Sequence, residues 1–162
     1  MSLQSVLNAL VALALMLCST LAMAQMAIPY GLPIGVEDAK KAAAPAIAEA
    51  RKNNWNMAVA IVDTAGNLVY FEKMDGTQGA SVNIAQDKAR SSALFKRPTK
   101  ALQDALAAGG EGWRMLGLQG AVPVEGGVPL VIQGKMVGAI GVSGGTSAQD
   151  AQCAAAGAAV LQ

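Results

Sequence analysis

Residues 121–152 read AVPVEGGVPLVIQGKMVGAIGVSGGTSAQDAQ, and this stretch decides the fold. Its apolar runs are too short for typical helices and are rich in β-branched residues, so they predict three short strands. Glu125-Gly126-Gly127 makes the first turn and Gln133-Gly134-Lys135 the second, where glycine enters backbone conformations that a Cβ disfavours. Neither Val128–Ile132 nor Met136–Val142 alternates cleanly between apolar and polar, which places cover on both faces of the sheet. Ser143-Gly144-Gly145 then ends the last strand. Thr146 with Gln149 three residues on is the signature of a capping box, opening a helix over Ser147–Leu161.

Working back from there, Val36 to about Asn53 suits a helix, with Glu37 and Asp38 at its start and Arg51 and Lys52 at its end. Pro45 inside it should kink it or remove a hydrogen bond. Met57–Val62 and Leu68–Glu72 form a hairpin around Thr64-Ala65-Gly66-Asn67. A helix over about Ala80–Phe95 places Ile84, Lys88, Ser91 or Ser92 and Phe95 near one stripe. A second, short helix runs from Thr99 to Gly109-Gly110. Glu111–Gly120 suits a strand, a turn of helix or a pocket wall. The order helix, hairpin, two helices, three strands, helix predicts an α+β domain, a five-stranded antiparallel sheet in a three-layer α/β/α arrangement.

The N-terminal residues 1–24 are read as a signal peptide: Val6–Leu21 is largely apolar and Ala22-Met23-Ala24 offers a small-x-small cleavage site. The expected product is exported, periplasmic or secreted, with no membrane insertion after cleavage, an irregular arm over 25–35 and one domain over 36–162. Twelve Lys plus Arg against eleven Asp plus Glu gives no global pull toward nucleic acid. Charged residues make up 14% of the chain, below the usual quarter of a soluble domain, and this predicts a homo-oligomer. The final helix is apolar nearly all round, so it is the expected subunit contact. Cys153 is the one cysteine beyond the signal segment and reads as a small buried hydrophobe.

The chain contains no histidine. That excludes Ser-His-Asp and Cys-His catalysis, histidine-bound zinc and histidine-ligated haem. Lys88, Arg90, Lys96, Arg97 and Lys100 form the densest basic group, and the turn at Pro98-Thr99 adds helix N-terminal amides. The group either receives carboxylates or phosphates, or is a solvated helix face. Glu125 is either a metal- or proton-handling carboxylate or a turn residue. The methionines at 57, 74, 115 and 136 read as core or pocket lining.

Asn53-Asn54-Trp55, Asp63–Gly66, Lys73-Met74-Asp75, Lys88-Ala89-Arg90, Arg97, Thr99-Lys100, Glu125-Gly126-Gly127-Val128-Pro129, Gly138–Gly144 and Ala148-Gln149-Asp150-Ala151 together resemble the GlcG/HbpS family. The resemblance spans nearly all of the chain beyond the signal segment. It implies a profilin-like domain with a five-stranded antiparallel sheet, and a family that includes homo-oligomers, haem-binding members and the C-terminal domain of PduO-type proteins. Some members are thought to hold haem iron through histidine, a departure here. The function so implied is an exported haem- or tetrapyrrole-binding protein acting in binding, storage or sensing, with haem as cofactor. On that reading Arg97, Lys100 and Lys88 or Arg90 pair with the propionates, beside Thr99. Met74, Trp113 or Met115 would lie against the macrocycle, with Glu125, Gly126 and Gly127 at the site. The alternatives are an enzyme acting on haem or on a small carboxylate, with Glu125, Asp63 and Lys88 as acid–base candidates, and an oligomeric scaffold.

Overall fold

In the computed structural model, which describes residues 28–161, the chain folds as helix α1 (Val36–Lys52), hairpin β1 (Ala58–Asp63) and β2 (Leu68–Lys73), helices α2 (Ser81–Phe95) and α3 (Thr99–Ala107), a 3₁₀ helix (Gly110–Gly117), hairpin β3 (Gly127–Ile132) and β4 (Lys135–Ser143), and helix α4 (Ser147–Ala159). The expected signal segment lies outside the described residues. Among the described residues no helix is long and apolar enough to cross a membrane.

The sheet is antiparallel throughout, in the order β2-β1-β4-β3. Among the described residues it has four strands, not the expected five. The missing strand is Ala121–Val124, whose backbone is tied to helix side chains instead of a ladder. The Val122 N–H donates to Ser91 Oγ at 3.0 Å, and the Glu125 N–H just beyond donates to Gln103 Oε1 at 2.9 Å. Pro123 between them has no N–H to offer a neighbouring strand. The described part of the N-terminal arm, from Ile28 to Gly35, instead runs beside the start of β4. Tyr30 bridges Met136 in parallel, and the Ile34 N–H donates to the Val137 carbonyl at 2.8 Å.

Period-two alternation along β1 and β4 sorts the core by size. Met57, Val59, Ile61, Ile140 and Val142 face α1 and α4, while Ala58, Ala60 and Ala139 face α2. On the α2 side small residues meet small residues: Ala85, Ala89 and Ala93, spaced four apart, form the ridge that lies on the sheet. The helix approaches so closely that a Cβ on Gly141 would stand 2.1 Å from the Ala85 carbonyl oxygen and 2.5 Å from the Ala89 nitrogen. This corrects the expected stripe on α2. Ile84 is exposed and Phe95 only half-buried, while Lys88, Ser91 and Ser92 are buried as expected; the ridge against the sheet is made by Ala85, Ala89 and Ala93 instead.

Helix α4 opens with the anticipated capping box, the Thr146 side chain accepting from the Gln149 N–H and the Gln149 side chain from the Thr146 N–H. Its apolar character is satisfied within the chain. Cys153, Ala154, Gly157 and Ala158 are buried against the sheet and α1, and a Cβ on Gly157 would meet the Ala42 carbonyl at 2.5 Å. Pro45 sits inside α1, which continues through it.

Replacing Gly141 with Ala inserts a methyl group against fixed backbone. Overpacking of that kind costs about 1–3 kcal/mol. Urea unfolding of Gly141→Ala should therefore show a lowered midpoint with an unchanged slope.

Candidate functional site

The residues of the basic group do not stay together. Lys88 leaves it altogether: 1% exposed, its ammonium donates to Asp150 Oδ2 at 2.7 Å and to the Val142 carbonyl at 3.2 Å. Asp150, equally buried, accepts a further bond from the Gly145 N–H at 3.0 Å. Arg90 points toward the β1–β2 turn, donating to the Gly66 carbonyl at 3.1 Å, with Asp87 at 3.7 Å. Lys96, in the left-handed conformation that ends α2, lays its ammonium 4.3 Å from the centre of the Tyr30 ring. Arg97 and Lys100 remain as an exposed pair on either side of the α2–α3 turn.

Lys100 pairs with Asp104 one helical turn on, and that hydrogen bond, with Glu125 adding to the field, raises its pKa. Among the described residues no carboxylate pairs with Arg97, whose Nε donates to the Phe95 carbonyl at 3.1 Å.

Glu125-Gly126-Gly127 sits directly on the buried ion pair. A Cβ on Gly126, at φ +125°, would stand 2.9 Å from Lys88 Nζ, from Asp150 Cβ and from the Val142 carbonyl. A Cβ on Gly127 would stand 2.3 Å from the Lys88 carbonyl, and its N–H donates to Thr99 Oγ1 at 2.9 Å. Lys88, Thr99, Gly126 and Gly127, expected as ligand contacts, are thus all buried and bonded to one another or to the sheet end. Glu125 is half-buried at the edge of this node. Asp63 is likewise committed: its carboxylate accepts from the Ala65 N–H, the Asn67 N–H and Asn67 Nδ2, which hold the β1–β2 turn. Burial would raise its pKa, but these hydrogen bonds outweigh it and the net shift is downward.

The residues expected against a macrocycle separate into two places. Met74 packs on the α1–α4 side of the core and lines a cleft of about 330 Å³ with Arg51, Glu72, Lys73 and Asp75, beside edge strand β2. Trp113 and Met115 lie on the 3₁₀ helix, which packs against α3 so tightly that a Cβ on Gly112 would overlap the Ala105 carbonyl. Through Thr99 and Gly127, α3 is tied to β3 at the other edge of the sheet. The 3₁₀ helix buries no residue, leaving Trp113 68% and Leu116 70% exposed and Met115 half-buried.

Leu116 and Leu118 fall in the stretch read as a possible pocket wall, whereas the exposed Leu94 and Val124 were not singled out by the sequence, since an exposed apolar residue has no local signature. Nor was Asp150, whose partner lies sixty-two positions away. No group of three or more His, Cys, Asp or Glu side chains among the described residues is placed to hold a metal ion. Cys153 is buried, and burial, aided by Glu49 and Asp150, pushes its thiol up to about 11, so it is neutral and inert at ordinary pH.

Removing one partner of a buried pair leaves the other charge uncompensated. Asp150→Ala should cost about 3–5 kcal/mol, whereas Lys88→Met with Asp150→Leu should cost far less than the two single changes summed. Urea unfolding of Asp150→Ala, of Lys88→Met and Asp150→Leu singly, and of their double variant checks both expectations.

A family model described as haem degrading protein HbpS-like matches residues 34–159. Escherichia coli K12 GlcG is 43% identical over 95 residues, 59% of this chain and 69% of GlcG. The crystal structure of a double mutant of Streptomyces reticuli HbpS superposes with a TM-score of 0.75 at 32% identity, covering 85% of this chain and 93% of that one. The PduOC–haem complex superposes with a TM-score of 0.72 over 81% of this chain and 96% of that one, at 24% identity, a likeness of fold. On the span of the family match and these similarities, the chain belongs to the HbpS-like family.

Proposed function

We propose that this protein binds haem or a closely related tetrapyrrole, in a role of binding, storage or sensing outside the cytoplasm. The observation that carries the reading is the match of residues 34–159 to a family described by haem. The α3–3₁₀ surface is chemically suited to such a ligand. A tetrapyrrole presents a broad apolar ring and two carboxylates. Here Arg97 and Lys100 stand at the start of α3 as exposed cations, and Trp113, Met115 and Leu116 offer an uncovered apolar stretch on the helix that follows.

The sequence has no histidine, and Cys153, Met57 and Met136 are fully buried in the core. The Tyr30 hydroxyl donates to the Ala93 carbonyl and the Tyr70 hydroxyl to Glu72. Met115 is the soft donor at the proposed surface. The residues therefore suit the ring and its propionates, with Met115 available to the iron. Bound haem would supply the redox and ligand-binding chemistry of its iron. The chain's part is to hold the carboxylates through Arg97 and Lys100 and to cover the ring.

A second reading, turnover of haem, is favoured by the same family description. The acid–base candidates do not assist it, since Lys88 and Asp63 are held by the framework and Glu125 alone remains half-exposed.

Titration of the purified protein with hemin should give a saturable Soret shift, and Arg97→Ala with Lys100→Ala should weaken it at least tenfold. No saturable shift in the wild type would sink the haem reading. With reductant and oxygen present, a band that persists as long as in the Ala double variant supports binding alone. Faster decay in the wild type assigns turnover.

A further inference from the structure

The N-terminal arm builds a concave feature at the end of the sheet away from the Glu125-Gly126-Gly127 turn. It runs beside β4 beyond Gly138, where the pairing of β4 with β1 ends. The Met136 N–H donates to the Pro29 carbonyl and the Gly31 N–H to the Met136 carbonyl, both at 2.8 Å, and Ile34 is bonded to Val137 farther on. Tyr30 fastens the arm to α2 through the Ala93 carbonyl at 2.9 Å, with the Lys96 ammonium over its ring. Between this arm and the β3–β4 turn lies a cleft of about 320 Å³. That volume is near the small end of the range of about 300–1,000 Å³ found for small-molecule sites. Its walls are preformed, because these bonds hold the arm to β4 and α2. Its floor is apolar: Ile34, Ile132 and Val137, members of the core on the α1–α4 side, line it. Leu32, 85% exposed, adds an apolar side chain at the rim.

Charge decides what such a floor would take. Asp38 and Lys135 are the charged residues of the lining. The Asp38 carboxylate accepts from Lys41 at 2.8 Å, and neighbouring Glu37 accepts from Lys40 at 3.2 Å, so the acidic side is already neutralised. Lys135 has no ion-pair partner among the described residues. A lone cation beside an apolar floor favours an anion whose remainder gains by leaving water. A single lysine also gives a polyanion too little charge to hold. We propose that this cleft binds a small carboxylic acid with an apolar body, its carboxylate at the Lys135 ammonium and its body on Ile34, Ile132 and Val137. The site is separate from the surface offered to a tetrapyrrole: the whole of β3 lies between Ile132 and Gly127, the residue bonded to Thr99 at the start of α3. It therefore stands whether or not the protein binds haem.

Hexanoate serves as the probe, with hexanol and hexylamine as matched controls. Titrated into the purified ¹⁵N-labelled protein, hexanoate should saturably shift the amide signals of Leu32, Ile34 and Val137 and bind at least fivefold more tightly than either control. Lys135→Met should weaken hexanoate at least fivefold and leave hexanol unchanged. Leu32→Glu, which sets a carboxylate beside the cleft, should weaken hexanoate with unchanged circular dichroism. Both positions are exposed, so neither variant disturbs the core. Arg97→Ala with Lys100→Ala should leave hexanoate affinity as in the wild type, and Lys135→Met should leave the hemin titration unchanged. No saturable shift with hexanoate, equal or tighter binding of hexylamine, or full hexanoate affinity in Lys135→Met overturns the inference. So does a loss of hexanoate binding in the Arg97 and Lys100 double variant, which would move the carboxylate to α3. Saturable hexanoate binding by a protein that ignores hemin keeps this site and sinks the haem reading alone.

Discussion

The structure depends on one buried ion pair. Lys88 belongs to α2 and Asp150 to α4, helices on opposite faces of the sheet, and they meet past the end of β4, where the Val142 carbonyl accepts a second bond from the ammonium. Such a pair contributes little net stability against an apolar substitute, because desolvating two charges offsets most of their attraction. What it supplies is registry. Breaking it strands a charge in the core, so α2, α4 and the end of β4 are held to one arrangement. The turn at Glu125-Gly126-Gly127 is laid over it, and Thr99 at the start of α3 is fastened to that turn.

From this node the sizes of the core residues follow. With α2 pinned through Lys88, the helix lies close on β1 and β4, and Ala85, Ala89 and Ala93 meet Ala58, Ala60, Ala139 and Gly141 at the closest contact, with Val62 and Met136 completing that side of the core. The opposite face takes the larger Val, Ile, Leu and Met side chains, and α1 and α4 answer them with alanines. The alanine content of the terminal helix is thus a packing requirement inside one chain. An apolar helix and an interface helix look alike in sequence, because both are written in small residues. Only the position of α1 distinguishes them.

This also marks how much was legible. The elements were, nearly to the residue, because periodicity, glycine turns and the Thr146–Gln149 capping box are local signals. The fifth strand failed because Val122 and Glu125 find side-chain partners on α2 and α3, a long-range competition that no local pattern records. The site was less legible for the same reason. Lys88 sits in a run of basic residues and reads as one of them; its burial is decided by Asp150, far along the chain. The family-signature residues therefore turn out to be chiefly architecture, and the exposed Arg97, Lys100, Trp113 and Leu116 are left as the chemistry available to a ligand.

That division constrains how a tetrapyrrole could be held at all. Without histidine, and with Cys153 sequestered, Met115 is the soft donor at the proposed surface among the described residues, so affinity rests chiefly on burying the ring and pairing its carboxylates. Burial is worth roughly 25 cal/mol per Å² of apolar surface, and a ring lying on one open surface gains it on one side only. Pairing of the carboxylates by the exposed Arg97 and Lys100 must then carry a larger share of the affinity.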